Sequence, residues 1–399
     1  MNARSGEVSP YMRQHLVDPQ RCIRCNACER VCDSGAISHA QNVVVDPARC
    51  TACLACLAGC PTGAIDNWRI VERQHCYGVA QQHRWSSLPA ALPYPAALVD
   101  PGWSVTGARQ APPPASAAVP VLGRYPPAQP LQARLLQNLR LTPPDSGVDI
   151  HHLLLDLGGA DFPVLEGQTV GVLPPRGEGE GPQPSIRLYS VASPRGGEAG
   201  RAGTLSLLVK RIQADREGQP IVGRASSYLC NLPPGAVLSL AGPYGASFLM
   251  PQEPQAPLLM IATGTGIAPL RAMVQQRLSS DSGGSAGILL FHGGTRASAM
   301  PFHDEMMALS PALLTYRPAY SRPLAGGRRL RVQHAVLQNC QAVMAMLLHP
   351  RCHLYLCGLA AMKQEVWAAL ERCCATAGAD WPALAERMRG EGRLQVETY

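Results

Sequence analysis

Eight of the fifteen cysteines in this 399-residue chain lie in two copies of one spacing, C-x-x-C-x-x-C-x-x-x-C. The first copy runs from Cys22 to Cys32, and the second begins 28 positions later at Cys50 and ends at Cys60. A Gly-Ala-Ile tripeptide follows each copy at the same distance. Because two identical spacings rarely arise by chance, the repeat predicts a small unit whose fold is organised around its cysteines.

Three kinds of structure could use these cysteines. Disulfides need an oxidising compartment, and the first twenty residues contain no apolar run like the core of a signal peptide. Zinc prefers four ligands arranged as two separated C-x-x-C pairs, or pairs with histidine. Three cysteines within seven residues instead suit a loop that wraps three corners of a cube. The spacing therefore favours two [4Fe–4S] clusters over zinc or disulfides.

The same run is found in bacterial two-cluster ferredoxins, where the fourth cysteine of each motif ligates the other cluster. This resemblance implies an α+β ferredoxin domain with two crossed ligand sets. The sets are Cys22, Cys25, Cys28 and Cys60 for one cluster, and Cys50, Cys53, Cys56 and Cys32 for the other. Asp33 follows Cys32, where the motif expects proline. An acid that points inward would lower the potential of its cluster, and one that faces solvent would not.

Length and composition predict a soluble protein of two or three domains. Residues 88–130 are rich in proline and alanine and almost uncharged, which is typical of a semi-rigid linker after a cysteine-rich domain at residues 1–87. No apolar stretch reaches the roughly 18–20 residues that span a bilayer, and no compact basic run with aromatic residues indicates nucleic-acid binding. We expect neither a membrane nor a nucleic acid as partner.

Seven further cysteines have no cluster spacing, and we expect most of them to be small core residues in a reducing cytoplasm. They are Cys76, Cys230, Cys340, Cys352, Cys357, Cys373 and Cys374. A single Glu-x-x-His motif, Glu72–His75, is present. Because a di-iron helix bundle uses two such motifs, the chain is not expected to hold a di-iron centre itself.

The second half of the chain changes pattern twice. Short apolar segments separated by turn residues, from about residue 134 to residue 244, predict an antiparallel β-barrel. From about residue 258, strands alternate with glycine turns and helical patterns, which predicts a parallel α/β sheet. The turn at Gly264-Thr265-Gly266 lies between a strand and a helix. Such a turn can hold a pyrophosphate on backbone N–H groups and the helix dipole.

Five motifs occur in an order that resembles the plant-type ferredoxin–NADP reductases over about two thirds of the chain. They are R-x-Y-S at 187–190, G-x-x-S-S at 223–227, G-T-G-I-A-P at 264–269, C-G-L at 357–359 and a tyrosine at 399. This resemblance implies a multidomain protein with an FAD-binding β-barrel at residues 131–255 and an NADP-binding α/β domain at residues 256–399.

The resemblance also implies site residues. For FAD they are Arg187, Tyr189, Ser190, Gly223, Ser226, Ser227 and Tyr399. For NADP they are Thr263, Gly264, Thr265, Gly266, Ser321, Arg322, Arg329, Arg331, Cys357 and Gly358. The residues expected around the reacting flavin and nicotinamide are Ser190, Cys357, Glu397 and Tyr399.

Some of these assignments have alternatives. The family often has Cys-Ser-Asn where this chain has Ala225-Ser226-Ser227, which leaves the flavin contact there less defined. Arg329 and Arg331 stand where the family has a lysine and an adenine-stacking tyrosine, and the basic residues could instead form a solvated loop. Tyr189 could be a core aromatic.

The fusion of a two-cluster ferredoxin to such a reductase is similar to the reductase components of aerobic benzoyl-CoA 2,3-epoxidases. The likeness includes "YMRQHLVDP" before the first cysteine and "CPTGAIDNWRIV" after the last. It implies electron flow from NADPH through FAD and two clusters to a separate di-iron oxygenase. A flavin explains the combination, because NADPH releases an electron pair and a cluster accepts single electrons. A general NADPH–ferredoxin oxidoreductase and an inactive cluster protein are the alternatives.

Overall fold

The computed structural model describes residues 11–51, 56–57, 60, 62–65, 67–90, 113–175, 186–214, 219–280, 287–322 and 329–398. The chain divides into two compact units. The described residues up to 90 belong to a cysteine-rich unit, and those from 113 onward belong to a large unit. The domain bounds predicted from the sequence stay a prediction.

The cysteine-rich unit contains two small antiparallel sheets and two short helices among its described residues. One sheet pairs β1 (Tyr11–Leu16) with β4 (Asn67–Glu72), and the other pairs β2 (Ile37–His39) with β3 (Val43–Val45). The helices are α1 (Ala27–Arg30) and α2 (Val79–Gln82). Apolar side chains from both cysteine motifs pack into one core.

The two cysteine motifs are folded in the same way and tied to each other crosswise. Asp18 and Asp46 stand 28 residues apart, four positions before the first cysteine of each motif. The backbone N–H of Asp18 donates to Ala64 in the second motif's tail at 2.7 Å, and that of Asp46 donates to Ala36 in the first motif's tail at 2.7 Å. Each motif is therefore held by the other, so the fold brings the end of one motif beside the start of the other.

The first part of the large unit is a six-stranded antiparallel sheet. Its strands are β5 (Leu131–Arg140), β6 (Ile150–Asp156), β7 (Thr169–Leu173), β8 (Arg187–Ser190), β9 (Thr204–Lys210) and β10 (Val237–Tyr244). Their order is β8-β7-β10-β5-β6-β9, and an isolated antiparallel bridge joins Val191, just after β8, to Leu207 in β9. Closure into a barrel stays a prediction. The helix α3 (Arg224–Asn231) precedes β10.

The second part of the large unit is a five-stranded parallel sheet, as the sequence predicted. Its strands are β11 (Leu258–Thr263), β12 (Ile288–Gly294), β13 (Leu314–Tyr320), β14 (His353–Gly358) and β15 (Leu394–Thr398). The helices are α4 (Ile267–Ser279), α5 (His303–Met307), α6 (Val332–Gln338), α7 (Cys340–Leu347), α8 (Ala360–Thr376) and α9 (Trp381–Gly390). Helices cover both faces, so the central strands are apolar almost throughout.

The strand order of this sheet is β13-β12-β11-β14-β15, and it indicates where a ligand-binding crevice lies. The chain runs outward from β11 to β13, and then returns to add β14 on the other side of β11. Ligands of open α/β sheets bind outside the carboxyl ends of the strands, where this order reverses. The crevice of this sheet therefore lies where β11 ends at Thr263 and β14 ends at Gly358.

Two of the cysteines outside the repeats depart from the expectation of free core thiols. Cys340 at the start of α7 and Cys373 in α8 form a disulfide with an S–S distance of 1.97 Å. Four others, Cys230, Cys352, Cys357 and Cys374, are buried free thiols, as expected. Spacing along the sequence could not reveal this pair, because two separate helices bring its members together.

None of the helices within the described ranges combines the length and the apolar character that crossing a bilayer requires.

Candidate functional site

Four of the predicted cluster ligands line a single cavity in the cysteine-rich unit. Cys22, Cys25 and Cys28 come from the first motif and Cys60 from the end of the second. The space between these residues, which is partly open to solvent, is about 300 Å³. This is the crossed set that the resemblance to two-cluster ferredoxins implied.

A second cavity of about 350 Å³, also partly open to solvent, is lined by three members of the complementary set. Cys32, from the end of the first motif, lines it together with Cys50 and Cys56 of the second motif. The fourth predicted ligand, Cys53, lies outside the described residues, as does Pro61.

In the first set, Cys25 and Cys28 are buried, and Cys22 and Cys60 are half-buried. Burial, with smaller contributions from the neighbouring Cys25 and Cys60, raises the pKa of Cys22 to about 12. Burial and the same kind of neighbours, Cys60 first, also raise the pKa of Cys28. Thiols become thiolates when cations bind them, so the first donor set fits a cationic cluster.

The four cysteines of the first set are all described, and they do not converge as the ligands of a single zinc ion do. Within the described ranges, no three His, Cys, Asp or Glu side chains converge on a position for one metal ion. The cysteines surround a space rather than a point, and a four-iron cube needs such a space.

The predicted ligand Cys32 has polar neighbours. Its sulfur lies 3.5 Å from the Ser34 hydroxyl and accepts the backbone N–H of Ala36 at 3.3 Å. Although burial acts in the opposite direction, these hydrogen bonds lower the pKa of Cys32. Asp33 is exposed, which agrees with the interpretation that its carboxylate faces solvent.

The glycine turn after β11 packs directly against the end of β14. A Cβ on Gly266 would lie 2.2 Å from the Cys357 carbonyl oxygen, and one on Gly358 would lie 2.3 Å from the Thr263 hydroxyl. The N–H of Leu359 donates to that hydroxyl at 3.3 Å. These close contacts leave the turn at the mouth of the crevice, with the start of α4 behind it to supply N–H groups for a pyrophosphate.

A buried histidine supports this turn from β12. His292 has no exposed surface. Its Nε2 lies 3.4 Å from the Gly264 carbonyl oxygen, and its Nδ1 lies 3.0 Å from the Tyr316 hydroxyl. The two partners assign Nε2–H as the donor to the carbonyl and Nδ1 as the acceptor from the hydroxyl. Burial lowers the pKa of His292 to about 4, so the ring is neutral at pH 7.

Three of the four predicted catalytic residues meet between the two sheets of the large unit. Cys357 in β14 and Glu397 in β15 are paired in register. The Ser190 hydroxyl at the end of β8 donates to Glu397 Oε1 at 3.3 Å. Cys357 is 1% exposed, and burial, reinforced by Glu397, raises its pKa well above the ordinary value. The Cys357 side chain is thus a neutral thiol at pH 7. Tyr399 lies outside the described residues.

The predicted flavin residues lie along β8 and at the start of α3. All four residues of β8, including Arg187 and Tyr189, are half-buried, so this edge strand presents both faces partly to solvent. Ser226 is buried, and its hydroxyl donates to the Gly223 carbonyl and accepts the N–H of Ile212 at 3.0 Å. The donors offered to an anion there are the first backbone N–H groups of α3, since no helix satisfies these internally. Ser227 is half-buried in the same turn.

The predicted phosphate-binding arginines gather beyond the end of β13. The Arg329 side chain donates to the Ser321 carbonyl at 3.0 Å, and Arg322 follows directly. Arg331 stands at the start of α6. The side chains of Arg322, Arg329 and Arg331 are exposed. The loop between Arg322 and Arg329 lies outside the described residues.

Comparisons with known proteins match both parts of the chain. The profile of the oxidoreductase NAD-binding domain matches residues 260–367, and that of the 4Fe-4S dicluster domain matches residues 21–64. The ferredoxin–NADP reductase of Thermosynechococcus vestitus is 32% identical over 286 residues, which cover 69% of this chain and 74% of the relative. The chloroplastic enzyme of Spinacia oleracea is 31% identical over 309 residues, which cover 73% and 84%.

The chain belongs to the ferredoxin–NADP reductase family.

Solved structures agree with this membership at the level of the fold. A ferredoxin–NADP⁺ reductase from Plasmodium falciparum aligns with a TM-score of 0.55 at 21% identity, over 70% of this chain and 99% of that chain. The same enzyme with 2′P-AMP also gives 0.55, at 20% identity. The predicted combination of a reductase of this family with a 4Fe-4S dicluster domain is therefore confirmed.

Two residues near the sites were not among those predicted from the sequence. His292 was hidden inside an apolar strand pattern, and its contact with Gly264 joins two different strands. His15 lines the second cysteine cavity. A signal for His15 was present, because the 28-residue repeat extends back through Asp18 and Asp46 and pairs His15 with Val43.

Proposed function

We propose that this chain is an NADPH-dependent reductase that passes electrons through FAD and two [4Fe–4S] clusters to a separate di-iron oxygenase that epoxidises benzoyl-CoA. The domain bounds and site residues predicted from the sequence belong to this proposal, as does a cytoplasmic location.

The observation that carries the proposal is the pair of cysteine-lined cavities in a chain of this reductase family. Each cavity contains cysteines from both motifs. A donor set of four cysteines suits a [4Fe–4S] cluster. When bound, FAD supplies the exchange between electron pairs and single electrons that NADPH and such clusters need.

The chain's own residues have positioning roles at the hydride-transfer site. The Ser190 hydroxyl and Glu397 are joined by a hydrogen bond, which fixes β8 against β15. The neutral Cys357 thiol adds little polarity and no charge beside them. A nicotinamide in the crevice would thus meet the Glu397 carboxylate, which accepts a hydrogen bond from Ser190, and the uncharged thiol of Cys357.

The exposed arginines beyond β13 support NADPH as the electron donor. NAD sites typically place an acid on the ribose hydroxyls, whereas an arginine accommodates the 2′-phosphate. Arg322, with Arg329 held beside it, supplies this positive charge.

The identity of the acceptor rests on the sequence likeness to epoxidase reductases. The second candidate is a general NADPH–ferredoxin oxidoreductase, which is favoured by the relatives named ferredoxin–NADP reductase. The two candidates share every step inside the chain and differ only in the protein that takes the electrons.

The test uses full-length protein purified without oxygen. We expect one flavin and about eight iron atoms per chain, since each [4Fe–4S] cluster contains four, together with bleaching of both chromophores by NADPH. Addition of the di-iron oxygenase and benzoyl-CoA should then couple NADPH oxidation to product formation.

The controls separate the two candidates. Isolated ferredoxins and cytochrome c serve as alternative acceptors under the same conditions. Faster electron delivery to free ferredoxins than to the oxygenase would favour the general reductase. Protein that holds zinc and no iron would overturn both candidates.

A further inference from the structure

The linings of the two cysteine cavities are related by the 28-residue repeat. Residues 17, 34, 36 and 37 correspond to residues 45, 62, 64 and 65, and every pair keeps its chemical character. Val17 lines the first cavity and Val45 the second, while Ser34 corresponds to Thr62. Two clusters in such matched surroundings would have nearly equal potentials.

Among the positions described in both motifs, one pair of lining residues breaks this correspondence strongly; the first cavity is also lined by Arg24 and Asn26, whose counterparts at positions 52 and 54 lie outside the described residues. Val43 lines the first cavity, and its counterpart in the second cavity is His15. His15 lies in β1 and is 2% exposed. A smaller difference of the same kind separates Ile23 in the first cavity from its more polar counterpart Thr51 in the second. The second cavity is the more polar of the two at both positions.

An imidazole beside a cluster acts differently from an isopropyl group. In either neutral tautomer it carries one N–H donor, and valine carries none. Hydrogen bonds and polar groups near cluster sulfurs change the potential because they stabilise the added negative charge of the reduced state. Burial strengthens this effect, because little water reaches the ring to screen its dipole.

The hydrogen bonds to the fourth cysteine of each set act in the same direction. In the second cavity, the Ser34 hydroxyl lies 3.5 Å from the Cys32 sulfur. In the first cavity, the corresponding distance from Thr62 to Cys60 is 3.8 Å. The imidazole of His15 and the shorter hydroxyl–sulfur distance at Cys32 both stabilise added negative charge on the second cluster.

We propose that His15 raises the potential of the cluster held by Cys32, Cys50, Cys53 and Cys56 above the value that the same cluster would have with valine at this position. This inference rests on the proposed function, because it requires both clusters.

The test is a potentiometric titration of the anaerobic full-length protein, followed by electron paramagnetic resonance at one fixed pH. His15→Val should shift the electron distribution between the clusters about tenfold, which is about 59 mV for a one-electron couple. Only one of the two midpoint potentials should fall. His15→Gln retains an N–H donor and should restore most of the difference.

The repeat provides a reciprocal variant and a matched control. Val43→His places an imidazole in the first cavity and should raise the other midpoint potential. This variant keeps the inference testable if His15→Val assembles its cluster poorly. His75→Val removes an exposed histidine of the same unit and should change neither potential.

The outcomes distinguish this inference from the proposed function. Two clusters that NADPH reduces, with midpoint potentials that are unchanged in both His15→Val and Val43→His, would overturn the role of His15 alone. Protein without clusters would overturn the proposed function before any potential is measured. Opposite shifts in the two variants would establish the role of His15.

Discussion

At the scale of single residues, the exposed Arg322 is the clearest test of coenzyme choice. We expect Arg322→Ala to weaken NADPH binding by about one to two orders of magnitude, because a hydrogen bond to a charged group contributes about 1.5–3 kcal/mol. NADH lacks the 2′-phosphate, so its KM should barely change. Steady-state kinetics with both coenzymes measure the difference.

Arg317 provides the control for this variant. It is exposed on the same strand, β13, and donates to Asn339, away from the turn that holds Arg322. Arg317→Ala should leave both coenzymes unaffected. Equal losses for NADPH and NADH in Arg322→Ala would show that its guanidinium does not bind the 2′-phosphate.

His292 makes a prediction about pH. Its pKa in the folded protein is about 4, below the ordinary 6.5. Between these two pH values His292 is protonated in the unfolded chain but neutral in the folded protein. The free energy of unfolding therefore falls as the pH drops from about 6.5 to 4. Between pH 7 and pH 5 this residue alone should cost about 2 kcal/mol, since one pKa unit corresponds to about 1.4 kcal/mol.

Urea unfolding at the two pH values measures this effect. His292→Leu should reduce the loss of stability on acidification, even though the variant is less stable at pH 7. Two other histidines, the half-buried His152 and the buried His353, also have pKa values lowered to about 4, chiefly by burial, and remain in the variant. A variant with the same pH dependence as the parent protein would contradict the assignment to His292.

At the scale of elements, the turn between β11 and α4 depends on the absence of a side chain at residue 266. A methyl group there would meet the backbone of Cys357 and Gly358, which cannot rotate away as a side chain could. We expect Gly266→Ala to destabilise the protein by about 1–3 kcal/mol, as overpacking does, and to weaken NADPH binding at least tenfold. Gly287→Ala is the control, because a Cβ there meets nothing within 4 Å.

The crossed cysteine motifs make a second prediction at this scale. Cys32→Ser should damage the cluster held by Cys50, Cys53 and Cys56, and the cluster held by the other cysteines of its own motif should remain. The cavity that Cys32 shares with Cys50 and Cys56 supports this expectation. Iron analysis and magnetic resonance of the reduced variant report which cluster survives, and loss of the first cluster alone would refute the crossing.

At the scale of the whole molecule, a buried arginine joins the two sheets of the large unit. Arg271 in α4 pairs with Glu198, which precedes β9, at 2.6 Å, and with Glu305 in α5 at 2.9 Å. It also donates to the Ala192 carbonyl at 2.8 Å, and its guanidinium lies 4.4 Å from the centre of the Phe302 ring. Arg271→Met should cost about 3 kcal/mol, because it removes the buried partner of two half-buried carboxylates.

A surface ion pair gives the contrast. Arg351 and Glu253 form an exposed pair, so Arg351→Met should cost no more than about 1 kcal/mol. Thermal unfolding of both variants compares the two values. Similar losses in the two variants would mean that burial of Arg271 does not set its contribution.

How much of this protein could be predicted from its sequence depends on the distance between the interacting residues along the chain. Cys22, Cys25 and Cys28 are close together along the chain, so their spacing alone predicts a loop that wraps around a cluster. Strand and helix periods, with the glycine turn at residues 264–266, likewise predicted the parallel sheet that the structure contains. The motif order was sufficient to place the chain in its family.

Only the tertiary structure decided which distant residues meet. Ser190 and Glu397 are 207 residues apart and come together because β8 and β15 lie at facing edges of two sheets. The disulfide between Cys340 and Cys373 and the contact of His292 with Gly264 arise in the same way. The repeat made the two cysteine motifs look equivalent, and the folded unit made them unequal by placing His15 against one cavity and Val43 against the other. Local spacing determines what a segment can wrap, whereas packing between elements determines what surrounds it.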